Sequence, residues 1–120
     1  PIDAPGLDGR IRVRSIIGRL LEHSRVFYFK IDETENMWLS SADWMNRNMM
    51  RRVEIAWPIT DVKNRERILQ ECCQMYLDDN QNAWLLNADG TYTLSVSQPK
   101  TKGIEHVLSA QQQLLQKYQN

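Results

Sequence analysis

The chain has 120 residues, 42% of them hydrophobic, and its 15 basic and 15 acidic side chains cancel to a net charge of zero. That length bounds it to one domain or part of one, with apolar residues enough for a core. Charge balance excludes a general nucleic-acid coat and a polybasic membrane binder, and no apolar run approaches a membrane span or a signal segment.

In chain order, the Pro and Gly content of residues 1–9 reads as loop. The opening Pro1-Ile2-Asp3-Ala4 is expected to mark a piece of a longer protein, cut within a loop. Val13, Ile16, Ile17, Leu20 and Leu21 recur at helical spacing and predict a short helix, which Gly18 weakens while allowing close packing. Ser24 to Ile31 is β-branched and aromatic, hence a strand. Asp32 to Asn36 turns the chain, and Met37 to Ser40 returns as the next strand. A helical turn is expected over 44–50. Val53, Ile55 and Trp57 then alternate with Arg52, Glu54 and Ala56 in a strand that Pro58 ends.

Asp61 caps a predicted helix with the stripe Ile68, Leu69, Cys72, Cys73 and Tyr76, and Asn80 and Asn82 mark its exit. Neighbouring cysteines on a helix point in different directions, so Cys72 and Cys73 are expected to form neither a disulfide nor a metal site, in keeping with a reducing cytoplasm. Trp84 to Leu86, the turn Asn87-Ala88-Asp89-Gly90 and Tyr92 to Leu94 read as a hairpin. After a linker around Pro99 and Gly103, a last helix carries Ile104, Val107, Leu108, Leu114, Leu115 and Tyr118. The fold class is α/β, with flanking helices on a sheet of several strands. Trp38, Trp44, Trp57 and Trp84 are read as core.

The residue pattern with most chemical content is His23-Ser24-Arg25 followed by Ser40-Ser41-Ala42-Asp43-Trp44. An imidazole can take or give a proton near neutral pH. A guanidinium grips phosphate oxygens at two points, and a turn of small residues offers hydroxyls and backbone N–H donors. Five arginines, Arg10, Arg12, Arg14, Arg19 and Arg25, fall within sixteen residues holding one acid, Glu22.

Arg12 to Arg25, Leu39-Ser40-Ser41-Ala42-Asp43-Trp44-Met45, Arg47-Asn48 and Arg51-Arg52-Val53-Glu54 closely resemble the last catalytic domain of bacterial polyphosphate kinase. Asp79-Asn80, Ala83-Trp84, Asp89-Gly90-Thr91-Tyr92 and Ser109-Ala110-Gln111 extend the resemblance over nearly the whole chain. Pro1-Ile2-Asp3-Ala4 departs from the Arg-Pro-Gly stretch usual there. More distantly the pattern is similar to phospholipase D-type domains. Arg25 stands for their lysine and Asp43 for their asparagine, and Lys30 occupies the place of an aspartate, which argues against plain phosphodiester hydrolysis.

The resemblance implies a phospholipase D-like α/β domain, a mixed sheet flanked by helices and closed by a C-terminal hairpin and helix, covering 1–120. It implies reversible transfer of the terminal phosphate of ATP to inorganic polyphosphate with Mg²⁺, through a phosphohistidine in a preceding domain. The metal ligands and that histidine would lie outside this chain, which alone is expected to be inactive. His23 would be the second catalytic histidine. Arg25 and Arg52 would bind ATP or polyphosphate oxygens, with Ser41 and Asp43 fixing the imidazole and Glu54 orienting Arg52. Arg25 in an ion pair with Glu22 or Glu54, and Arg52 in a structural pair with Glu54, are the open alternatives, and Arg14 and Arg19 either extend the positive lining or form a solvated face. His106 is expected on the surface. ATP or ADP, polyphosphate, the preceding domains and further copies of the full-length chain are the implied partners, in the cytoplasm or peripherally on a membrane. Two other functions fit the residues less well: a homodimeric half-site phosphodiesterase, and a non-catalytic polyanion-binding module.

Overall fold

The computed structural model describes residues 9–95 and 108–119. The expectations for Pro1–Ala4, for the linker around Pro99 and Gly103, and for Ile104, His106 and Val107 lie outside the described residues. The chain divides into two compact units, one of residues 22–74 and one of residues 1–21 with 75–120.

In the second of these units, the helix expected from Val13 to Leu21 is replaced by a strand, β1 (Arg14–Ile16). It pairs antiparallel with β5 (Ala83–Leu86), Ser15 opposite Trp84, and β5 pairs in turn with β6 (Tyr92–Leu94). Backbone bonds Leu86 N to Val13 O and Ile17 N to Asn82 O, both 3.0 Å, lengthen the ladder. The β-branched residues that imitated a helical stripe are also good strand formers, and the pairing partner decided between the two. The β5–β6 hairpin is as expected, with Gly90 at φ 86°, a conformation in which a side chain is strained. Gly18 lies against the Gln111 amide so closely that a β-carbon there would collide with it.

This unit also holds α3 (Met75–Asp78) and α4 (Ala110–Tyr118); Leu108 precedes α4 instead of belonging to it. Arg14 closes the end of α3, its Nη1 donating to the carbonyls of Tyr76 (3.0 Å) and Leu77. It lies on a strand and not on a solvated helical face. Asp79, 1% exposed, accepts from Gln81 N and Asn82 N on one oxygen and from Ala110 N at 2.8 Å on the other. The N-terminus of α4 thus receives its cap from a residue distant in sequence, since its own N-cap Ser109 makes no such bond.

In the unit of residues 22–74, β2 (Val26–Ile31) and β3 (Thr34–Ser40) form a hairpin, and β4 (Ala56–Pro58) joins β3 antiparallel at the edge. The turn is only Asp32-Glu33, with Asp32 at φ 51°, so β3 begins three residues earlier than expected. The strand expected from Arg52 onward is confined to Ala56–Pro58, and Val53, 99% exposed, faces no core. Helix α1 (Asn46–Arg51) is the expected helical turn. Asp61 caps α2 (Val62–Ile68) as predicted, accepting from Asn64 N at 2.8 Å, and the helix continues as a π-helical stretch, Leu69–Gln74, that packs on β2.

The α/β class with a C-terminal hairpin and helix is therefore found, its strands sorted into two three-stranded sheets whose pairings are all antiparallel. The four tryptophans are not core. Trp44 is 78% exposed and stacks on Phe27 at 5.6 Å between ring centres. Among the described residues the buried apolar side chains are Met37, Ala42, Ala83 and Ala110.

Candidate functional site

The motif residues gather at one end of the β2–β3–β4 sheet. Ser40 N donates to Arg25 O at 3.0 Å, which sets the start of β2 beside the end of β3. Beyond Ser40 the chain makes a tight turn. Ser40 Oγ accepts from Ala42 N, and Ser41 N donates to Ile55 O, so the loop before β4 is stitched to the same turn.

His23 is exposed, and both it and Arg25 lie ahead of β2, so the two do not share a strand face. The two are connected through the backbone instead: Arg25 Nη1 donates to His23 O at 2.9 Å. Arg25 Nε donates to Asp43 Oδ1 at 2.7 Å, an ion pair with neither Glu22 nor Glu54, the two partners left open as alternatives. The Asp43 turn reaches Arg25 because β3 ends beside it. This hydrogen bond holds the Arg25 guanidinium in its charged form, with Glu54 adding a weaker attraction. It also lowers the Asp43 carboxyl below the ordinary range, against the opposing effect of burial and with further help from the charges of Arg25, His23 and Arg47. These two bonds use two of the five N–H donors of the guanidinium.

Ser41 and Asp43 were expected to fix the imidazole, but their hydrogen bonds go elsewhere. Asp43 holds Arg25, while Ser41 Oγ donates to Glu54 and accepts from Ile55 N at 3.1 Å. Glu54 therefore fastens the loop to the turn; it does not orient Arg52. Arg52 is exposed at the C-cap of α1, outside any strand, and among the described residues no ion pair joins it to Glu54.

A depression of about 240 Å³ opens beside the motif, lined by His23, Ser24, Arg25, Leu39, Trp57 and Cys72 among others. Cys72 and Trp57 were not singled out as site residues, although the helical stripe through Ile68 and Cys72 already marked the face that packs on β2. Burial pushes the Cys72 thiol up, the charges of Glu71 and Glu22 add to this, and the Ser24 hydroxyl works the other way. Both cysteines are free. Among the described residues no group of three or more His, Cys, Asp or Glu side chains is placed to hold a metal ion. The carboxylates of Asp43 and Glu54 are already engaged by Arg25 and Ser41, so these residues do not fit a Mg²⁺ site. Nor is any helix of the described residues long and apolar enough to cross a membrane.

Two antiparallel sheets with flanking helices, closed by a C-terminal hairpin and helix, define an α/β domain of the phospholipase D-like class. Known proteins make the class specific. The family of polyphosphate kinase C-terminal domain 2 matches residues 2–106, and the chain belongs to it. It is similar to polyphosphate kinase of Burkholderia ambifaria strain MC40-6, 53% identical over 88 residues, which is 73% of this chain and 13% of the relative. Polyphosphate kinase of Neisseria meningitidis serogroup B is 53% identical over 87 residues, 72% of this chain and again 13% of the relative. The crystal structure of polyphosphate kinase from Porphyromonas gingivalis matches with a TM-score of 0.80 at 30% identity, over 96% of this chain and 17% of that one. The chain thus spans a small fraction of the length of the relatives it matches.

Proposed function

We propose that this chain, residues 1–120, is the C-terminal catalytic domain of an ATP–polyphosphate phosphotransferase and supplies one half of its active site. In the complete enzyme the bond from the γ-phosphorus to ADP breaks as a histidine of a preceding domain takes the phosphoryl group. The resulting phosphorus–nitrogen bond then breaks as the terminal oxygen of polyphosphate attacks. Both steps run in reverse. His23 faces the transferred group and exchanges a proton with it or stabilises its charge. Arg25 binds phosphate oxygens with the donors that Asp43 and His23 leave unoccupied, and Arg52 extends the positive surface toward ATP or the polyphosphate chain. Ser41 and Glu54 hold the turn in place, while Asp43 aims Arg25. Mg²⁺ would be held by ligands from the preceding domains of the complete enzyme. The enzyme works in the cytoplasm or peripherally on a membrane, as an oligomer of full-length chains.

The observation that carries this reading is the clamped Arg25, joined at 2.7 Å to Asp43 and at 2.9 Å to the backbone of His23. Such a fixed fork beside an exposed imidazole is preorganised for a tetrahedral anion. In the longer protein, His23→Ala is expected to lower phosphoryl transfer from ATP to polyphosphate by roughly 10²–10⁴-fold, the range for losing an acid–base group. The melting temperature should stay near wild type, because the exposed imidazole contributes little burial. Activity within a few-fold of wild type, or a lost thermal transition, would remove His23 from the site. The 120-residue chain alone serves as the inactive control. Phosphodiester hydrolysis by that control would point to a half-site phosphodiesterase instead.

A further inference from the structure

We infer that Asn48 is a positioning residue for this site, acting on Arg25 and His23 through Asp43. The inference rests on the phosphotransferase reading above for its activity readout, though not for its structural one.

Asn48 is 4% exposed, in the first turn of α1, and its side chain reaches back beneath the turn that carries Asp43. Its Nδ2 donates to Asp43 O at 3.3 Å, and its backbone N donates to Met45 O at 2.9 Å. Asp43 O also accepts from Met45 N at 2.8 Å, so two donors converge on one carbonyl and fix the orientation of that peptide. From Asp43 the connection runs outward through its carboxylate to Arg25 Nε and from Arg25 Nη1 to His23 O. Asn48 is the buried end of a relay whose other end is the backbone carbonyl of the exposed His23.

Its other amide atom argues that the role is geometric. Asn48 Oδ1 is buried and has no hydrogen-bond partner among the described residues. One long hydrogen bond does not offset the desolvation of an unpaired carbonyl oxygen, so an apolar side chain of equal volume would be at least as stable here. What an apolar side chain cannot do is hold the Asp43 carbonyl.

The test uses the longer protein, with Asn48→Leu as the near-isosteric variant, Asn48→Ala as the second, and Asp43→Ala as the reference. Asn48→Leu should melt at or above the wild-type temperature and lose roughly 10- to 10²-fold in kcat/KM, the effect of misplacing a reacting geometry from a distance. In the Asp43→Ala background the same substitution should cost no more than about threefold, because the relay is already cut. The structural readout is the rate at which phenylglyoxal modifies Arg25, followed by peptide mass spectrometry. It should rise by about threefold or more in Asn48→Leu, as in Asp43→Ala, when the guanidinium is released. An unchanged Arg25 modification rate in a folded variant, an additive cycle, or unfolding of both Asn48 variants would overturn the inference. Absence of phosphoryl transfer in the wild-type protein would instead defeat the phosphotransferase reading, and the modification rates would still decide the role of Asn48.

Discussion

Arg25 directs two of its donors to the protein itself, to the Asp43 carboxylate and the His23 carbonyl. A flexible cation is thereby converted into a fixed one, at the expense of side-chain entropy that is lost before any ligand arrives. Because the Arg25 hydrogen bond lowers the Asp43 carboxyl below its ordinary value of 3.8, Asp43 stabilises the fold at pH values above that range. The contribution declines as pH falls through the lowered folded value. Urea titrations of wild type and Asp43→Asn should therefore differ most near neutral pH and converge in strong acid. A difference that grows on acidification would contradict the pairing. His23, Arg25 and Asp43 were all legible in the sequence as chemistry-bearing residues, whereas their bonding was not. The sequence points equally to Glu22 and Glu54 as partners for Arg25, and only the closing of the β2–β3 hairpin brings Asp43 beside it.

At the scale of elements, the segments fixed by local rules are where the residues alone place them. Asp61 caps α2, Asn87 to Gly90 turns the β5–β6 hairpin, and the aromatic run makes β2. The errors fall where two local rules compete. Val13 to Leu21 satisfies helical spacing and strand propensity together, and β5 supplies the pairing that settles it. The alternation around Val53 to Trp57 is real as a pattern, but most of it faces no core. Asp79 shows how far an element's end can depend on the rest of its unit. One buried carboxylate accepts from the backbone after α3 and from the start of α4. Asp79→Ala would leave those backbone donors without their partner, at a cost of about 3 kcal/mol or more. Asp79→Asn should recover part of the loss through its remaining oxygen. Thermal unfolding checks both, and a shift of less than about 2 °C for Asp79→Ala would show that water replaces the carboxylate.

At the scale of the whole molecule, one face of the β2–β3–β4 sheet packs on the π-helical stretch, and the other presents Phe29, Ile31 and Trp38 substantially exposed, with Trp44, beyond β3, stacked on Phe27. A shallow apolar groove of about 360 Å³ runs along it between Phe27, Trp38, Trp44 and Met49. Apolar surface of this kind drives association. The isolated 120-residue chain is expected to bind a hydrophobic dye and to sediment as concentration-dependent oligomers. Phe29→Glu with Ile31→Lys should suppress both, and a monodisperse, dye-silent wild-type chain would contradict the expectation. The sequence by itself determined the family and the α/β class, because ordered motifs and local periodicity survive without knowledge of any contact. It could not assign the partners of Arg25, Glu54 and Arg14, the burial of Asn48 and Asp79, or the exposure of the tryptophans. Those depend on which strands pair and which faces are covered, and hydrogen bonds between residues far apart in the chain exist only once the sheets have formed.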